Sequence, residues 1–156
     1  SRAESFVMDQ LLELLGRLHP VILHFPLVLL VLGSAVELFR YFRDSPFLAQ
    51  AVRGLFGLGA IAALLAVGSG WSLAAHEHIR SDQRSILELH RWIGLAAAAW
   101  SVAAWLSARA WSDAQSAKQI WGRRTVVIVT FVLIVVAGHL GAVLVWGHEW
   151  FSLNSS

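Results

Sequence analysis

The stretch Thr125–Gly147 reads TVVIVTFVLIVVAGHLGAVLVWG. It has 23 residues and no Asp, Glu, Lys or Arg, and about 20 apolar residues are enough to cross the hydrocarbon core of a bilayer. Inside it lies His139, with Gly138 before it and Gly141 two residues after it. An ionisable side chain is costly at that depth, so the stretch predicts a membrane-spanning helix whose imidazole has a partner.

Three further apolar runs precede this one, joined to each other by short polar loops. They predict spans at about 20–42, 54–75 and 87–108, and the fourth span covers 125–147. Pro26 lacks an amide hydrogen, so an irregularity is expected in the first span near His24. Four uniform runs of this length predict an all-α fold, an integral membrane four-helix bundle.

The chain divides into three parts on this reading. Residues 1–18 carry apolar side chains at three- and four-residue spacing but are too polar to span, so an amphipathic interfacial helix is expected there. Residues 19–150 form the four-transmembrane-helix domain, and residues 151–156 are a tail. No repeat or linker splits the chain further.

Composition excludes several classes of function. The chain is 57% hydrophobic and 14% charged, whereas soluble domains have about 25% charged residues. It has no cysteine, which excludes iron–sulfur clusters and covalent c-type haem attachment. Its basic residues are scattered, so nucleic-acid binding is unsupported. Without a Ser-His-Asp arrangement, a phosphate loop or a His-Glu-x-x-His motif, a hydrolase or a nucleotide-dependent enzyme has little support.

Four spans place both termini on one side of the membrane, called side A here, together with the loop at about 76–88. Side B holds the loops near 43–53 and 109–124. Side B carries seven Lys and Arg residues and side A carries five. Because cytoplasmic loops are enriched in Lys and Arg, side B is expected to face the cytoplasm.

All seven histidines fall in the side A half of this topology. His139, the deepest, lies about 12 Å from the end of its span at 1.5 Å per residue. Histidines that project into a bundle core suit a b-type haem held by imidazole nitrogens. The expected ligands are His24, His90 and His139, and His19 either caps the entry of the first span or is a fourth ligand. The histidines assigned instead to loops or the interface are His76, His78 and His148.

Small and basic neighbours add to this hypothesis. Gly94, Gly138 and Gly141 leave room beside the imidazoles, although close helix packing explains such glycines equally well. Arg91 can pair with a haem propionate or extend to the membrane surface. The histidines can also hydrogen-bond between helices, or ligate zinc or copper, since imidazole suits several metals.

Three motifs carry a resemblance to a known family. They are Leu18-His19-Pro20 with His24-Phe25-Pro26, then His90-Arg91-Trp92-Ile93-Gly94, and then Gly138-His139-Leu140-Gly141. The chain resembles a bacterial four-span membrane domain of unknown function whose members often stand alone or are joined to c-type cytochrome domains. The resemblance implies an electron-transfer role in a bacterial membrane. Together with the Lys and Arg count, it predicts the bacterial inner membrane with both termini periplasmic. Because this chain has no Cys-x-x-Cys-His stretch, a c-type cytochrome partner must be a separate polypeptide.

The leading hypothesis is therefore a membrane electron-transfer subunit that binds one or two b-type haems near the periplasmic face. It would relay electrons from a membrane donor such as quinol, with a quinone as a second cofactor, to a c-type cytochrome or a larger complex. Its expected contacts are membrane lipid, other subunits of a membrane complex and that cytochrome, but no nucleic acid. The alternatives are a non-redox scaffold or assembly subunit and a histidine-ligated zinc or copper site.

Overall fold

The computed structural model describes residues 2–76, 83–111 and 116–147. In those residues all regular secondary structure is helical. Four segments are long and apolar enough to cross a membrane: His19–Phe39, Pro46–Ala74, Arg84–Ala110 and Ala117–Trp146. The predicted all-α membrane bundle is confirmed. Its helices are α1 (Arg2–Arg17), α2 (His19–Ile22), α3 (His24–Phe39), α4 (Pro46–His76), α5 (Arg84–Ala110) and α6 (Ala117–Trp146).

Two helices begin well before the apolar runs they contain. α4 begins at Pro46 and α6 at Ala117, against expected span starts at about 54 and 125. Each start has a serine cap: the Ser45 hydroxyl accepts from the amide of Leu48 at 3.2 Å, and the Ser116 hydroxyl accepts from the amide of Gln119 at 3.3 Å. Such caps satisfy amides that a helix start leaves unpaired, so the helices extend beyond the hydrocarbon on side B.

The first span is interrupted where proline predicts it. α2 ends at Ile22 and α3 begins at His24, with Leu23 between them. Pro26 has no N–H to donate to the carbonyl of Ile22, so the regular hydrogen-bond ladder cannot pass through this point. The irregularity is local, because Leu23 keeps a helical backbone and its amide donates to the carbonyl of His19 at 2.9 Å.

The spanning helices pack in a closed ring in chain order. α3 packs on α4, α4 on α5, α5 on α6, and α6 returns to α3. Helices α3 and α5 are therefore diagonal, as are α4 and α6. This ring determines which residues distant in sequence meet at each end of the bundle.

The amphipathic helix α1 lies against the side A end of α4. A Cβ atom on Gly16 would be 2.9 Å from the Cα of Leu73, so the two backbones approach very closely. The Ser72 hydroxyl donates to the carbonyl of Leu12 at 2.5 Å. The apolar side chains of α1 that face away from α4, among them Phe6 and Val7, are exposed, as an interfacial helix requires.

In the interior of the bundle, the side chains that α5 contributes are small. Ala97, Ala104 and Ala108 are buried there against larger residues of the neighbouring helices. Small residues allow membrane helices to approach closely and gain van der Waals contact. The outer faces are apolar and exposed, including four large side chains of α4: Leu58, Ile61, Leu64 and Leu65. These outer faces contact lipid.

Candidate functional site

His19 is held against α4 by a directional hydrogen bond. Its Nδ1 lies 3.0 Å from the Ser69 hydroxyl oxygen, and that hydroxyl donates its own proton to the carbonyl of Ala66 at 3.1 Å. Since the hydroxyl has one proton to give, Nδ1 of His19 carries the hydrogen and donates it to Ser69. The lone pair of the neutral imidazole is then on Nε2.

His90 is held in the same way by α6. Its Nδ1 lies 3.1 Å from the backbone carbonyl oxygen of Ala137. A carbonyl can only accept, so Nδ1 of His90 is the donor and Nε2 again carries the lone pair. In both of these half-buried imidazoles, Nδ1 is the hydrogen-bond donor and Nε2 carries the lone pair.

Each ring rests on a glycine of the helix that holds it. A Cβ on Gly70 would be 2.9 Å from Cε1 of His19, and a Cβ on Gly141 would be 3.2 Å from Cε1 of His90. Both distances are shorter than ordinary carbon–carbon contact. Gly141 therefore has the role expected of it, which is to leave room for an imidazole, but the imidazole is that of His90. Ser69 and Gly70 were not predicted to contact a histidine, because the chain does not show which residues of α4 face α2.

His19 and His90 come from diagonal spans in the same half of the bundle, and their imidazoles interact electrostatically over the distance between them. His90 was expected to act with His24 and His139, whereas in the structure its electrostatic neighbour is His19.

His24 and His139 lie elsewhere, with both side chains exposed at the surface of the bundle. The Nδ1 of His24 folds back to 2.5 Å from the carbonyl of Pro20 in its own span. On α6, Ala137 is buried, and two residues correspond to about 200° around a helix. His139 therefore points away from the face that holds His90. The sequence predicts that His24 and His139 project into the core, whereas the structure places both side chains on the surface of the bundle.

The other predicted site residues have distinct surroundings. Gly138 lies against α3, where a Cβ would be 3.1 Å from Cδ1 of Leu27, whereas a Cβ on Gly94 would have no atom within 4 Å. Gly138 therefore serves helix packing, and Gly94 leaves open space one turn after His90. Arg91 is half-buried, and its Nε is buried without a hydrogen-bond partner among the described residues.

Within residues 2–76, 83–111 and 116–147, no group of three or more His, Cys, Asp or Glu residues is placed to hold a metal ion. The side chain of His76, the whole of His78 and His148, and the tail at 151–156 lie outside the described residues. The site formed by described residues is thus a pair of imidazoles.

A second polar centre lies at the side B end of the bundle. The carboxylate of Glu37 accepts from Nε of Arg123 at 2.6 Å and from Nη1 of Arg40 at 3.0 Å. These three side chains are at most 4% exposed. Arg123 also donates to the carbonyl of Trp111 at 2.6 Å, so every charge in the network has a partner.

Arg40 remains charged in this network. Burial lowers the pKa of the Arg40 guanidinium, but hydrogen bonds to Asp44 and Glu37 and the charges of both acids raise it above its ordinary value. Glu37 and Arg40 lie three residues apart on one helix, which indicates a pair. Arg123 could not be assigned to them from sequence, because that contact depends on how α6 is rotated against α3.

Residues 17–151 match the model of a family described as "Predicted membrane protein (DUF2231)". Among curated proteins and among solved structures, none matches the chain. The matched residues include all four spans and the His19 and His90 pair.

Proposed function

The chain belongs to the DUF2231 family of predicted membrane proteins, and from its own geometry we propose that it is an electron-transfer subunit with a b-type haem ligated by His19 and His90. The main observation behind the proposal is that the two imidazoles have the same hydrogen-bonding pattern. Each donates from Nδ1 to a fixed acceptor on another helix, and each keeps the lone pair of Nε2. Metal-ligating histidines almost always have their other nitrogen fixed in this way.

Two imidazoles are the complete protein ligand set of a six-coordinate haem, whereas a structural zinc site requires four ligands. The described residues offer no third ligand beside the pair, which favours haem over zinc or copper. A haem iron held there would supply one-electron oxidation and reduction. The Ser69 hydroxyl and the Ala137 carbonyl would fix the orientation of the two ligands.

Arg91 offers a binding position for an anionic group next to His90. Its Nε is buried and has no partner among the described residues, and a buried guanidinium nitrogen without a partner is costly. A haem propionate would satisfy it, since arginine binds carboxylates through charge-assisted hydrogen bonds. Gly94, one turn along the same helix, has open space beside it and does not obstruct such a group.

The membrane setting completes the proposal. The excess of Lys and Arg on side B supports a bacterial inner-membrane orientation with both termini and the histidine pair on the periplasmic side. There the subunit would take electrons from a donor such as quinol and pass them to a separate c-type cytochrome or to other subunits. His24 and His139 are exposed, so a second haem on them would need a partner subunit to enclose it.

The test is the visible spectrum of the full-length chain purified from membranes with haem supplied during expression. We expect a Soret band and a reduced α band that are lost in His19→Ala and in His90→Ala. His24→Ala and His139→Ala are matched controls, because each removes an imidazole from the same half of the bundle, and both should keep the spectrum. A folded, colourless wild-type protein that also fails to bind added haemin would refute the proposal.

A scaffold function is the second candidate, and a specific observation favours it. The bonds His19–Ser69 and His90–Ala137 each join two helices, so the imidazoles contribute to assembly of the bundle without any cofactor. Under this alternative, His19→Ala and His90→Ala lower stability or partner assembly while the wild type has no visible absorption. Elemental analysis of the same preparation separates iron from zinc or copper.

A further inference from the structure

A groove lies between α4 and α5 at the side B end, far from the histidine pair. It has a volume of about 530 Å³. Two of its lining residues are arginines and none is acidic; the five are Gln50, Arg53, Gly54, Trp105 and Arg109. Nothing in the proposed electron-transfer function uses these residues.

The two arginines lie at the level of the lipid headgroups. Arg53 directly precedes the uncharged run that begins at Gly54, and Arg109 directly follows the uncharged run that ends at Ala108. Because α4 and α5 are neighbours of opposite direction, these two run ends meet on the same side of the membrane. The groove thus opens where lipid phosphates lie, at the border of the hydrocarbon.

The walls of the groove are shaped by glycine and tryptophan. A Cβ on Gly54 would have no atom within 4 Å, which leaves the α4 side open. On the α5 side, the guanidinium carbon of Arg109 lies 5.1 Å from the ring centroid of Trp105. Cation–π contact at this distance is favourable, and it fixes the exposed guanidinium of Arg109 beside Trp105 at the edge of the groove.

The positive charge of the groove has no counter-charge in the described part of the chain. On side B the described carboxylates are those of Glu37 and Asp44, and both are bound to arginines of the other network. Neither Arg53 nor Arg109 forms an ion pair with a described residue. Guanidinium groups bind phosphate oxygens in pairs of parallel hydrogen bonds, and the amide of Gln50 adds a neutral donor.

We propose that this groove binds a phosphate group, with Arg53 and Arg109 as its two cationic ligands. An anionic phospholipid headgroup and free phosphate share this chemistry. The groove is a binding site for the ligand and has no role in moving electrons, so it remains if the haem proposal fails.

The experiment is native mass spectrometry of the delipidated full chain with added phosphatidylglycerol, with added phosphatidylcholine, and with inorganic phosphate. We expect the wild type to retain phosphatidylglycerol better than phosphatidylcholine. The double variant Arg53→Gln/Arg109→Gln should retain it at least about tenfold less, since a hydrogen bond to a charged group contributes enough for that factor. The control Arg43→Gln/Lys118→Gln removes the same charge from exposed positions on the same side and should behave as the wild type.

The samples with inorganic phosphate identify the source of the ligand. Displacement of phosphatidylglycerol by inorganic phosphate shows that phosphate alone is recognised, and retention in excess phosphate shows that the lipid is the ligand. Gly54→Leu fills the groove without changing charge and should also lose retention, with circular dichroism as the check of folding. Equal retention of the two lipids by the wild type, equal loss in the groove and control double variants, or full retention in folded Gly54→Leu would overturn the proposal.

Discussion

The two ends of the bundle bury polar groups in opposite ways. At side B, Glu37 is shared between Arg40 and Arg123, and Nη1 of Arg123 donates to the carbonyl of Trp111. At side A, His19 and His90 each use one ring nitrogen and keep the other available. A network of paired charges stabilises the fold. Two imidazoles that each keep an unbonded Nε2 are instead available to a ligand. Substitutions at the two ends should therefore separate stability from binding.

The largest effect is expected from Glu37→Ala. It leaves the guanidinium groups of Arg40 and Arg123 buried without their shared carboxylate, and removing one partner of a buried ion pair costs about 3–5 kcal/mol. We expect this loss in the free energy of unfolding of the purified protein, measured in detergent by denaturant titration with circular dichroism. Any cofactor bound at side A should be unaffected in the fraction that remains folded.

Glu13→Gln is the matched control for this variant. Its pair with Arg17 has a contact distance of 2.6 Å, like the shorter contact of Glu37, but its side chains are 74% and 47% exposed. Exposed pairs contribute about 0–1 kcal/mol. If Glu37→Ala and Glu13→Gln destabilise equally, the buried side B network contributes no more to stability than an exposed ion pair.

An intermediate effect is expected from Gly70→Ala on α4. The added methyl would lie 2.9 Å from Cε1 of His19, so the ring must move and its bond to Ser69 is strained or lost. Overpacking of this kind costs about 1–3 kcal/mol. The same variant should weaken cofactor binding at side A, measured as the haem content per chain.

Gly68→Ala provides the comparison, two residues earlier on the same helix. A Cβ there has no atom within 4 Å, so the substitution should be neutral or stabilise α4 by up to about 1 kcal/mol through helix propensity. Equal haem content and equal stability in the two alanine variants would contradict the packing of His19 on Gly70.

Sequence alone predicts the spans of this protein well and the rotation of its helices poorly. The charge-free run at 125–147 and its three counterparts identify the membrane helices, because hydrocarbon tolerates few charges. Topology alone then places the histidines in one half of the bundle. A helix that is apolar all round has no polar face to show which side packs inward. The pattern therefore does not show that Ala137 faces the bundle interior and that His139 faces away from it.

The contacts that define the two centres required the structure for the same reason. The sequence identifies His19 together with the other histidines. Its hydrogen bond to Ser69 depends on the break at Leu23 and on the angle at which α2 packs on α4. The pairing of Glu37 with Arg123 spans 86 residues and depends on the closure of α6 against α3. Both contacts are consequences of packing angles, which residue spacing does not determine.

The smallest effect is expected at the outer edge of the side B network, where Asp44 binds Arg40 at 2.7 Å. The hydrogen bond from Arg40 holds the pKa of the Asp44 carboxyl below its ordinary value, which is about 3.9. A carboxyl whose pKa is lower in the folded state stabilises the fold above its unfolded-state pKa. That contribution is lost as the pH falls through the folded-state pKa. Because the Asp44 side chain is 63% exposed, the contribution should stay below about 1 kcal/mol.

Asp44→Asn therefore should lower stability slightly at neutral pH and make no difference below the folded-state pKa, where the wild-type carboxyl is also neutral. The measurement is the unfolding free energy of wild type and variant in detergent, from neutral pH down to about pH 3. The two curves should converge on acidification. Curves that stay parallel would show that Asp44 does not titrate as a partner of Arg40. The buried pair of Arg40 with Glu37 would then carry the arginine's whole contribution at the side B end.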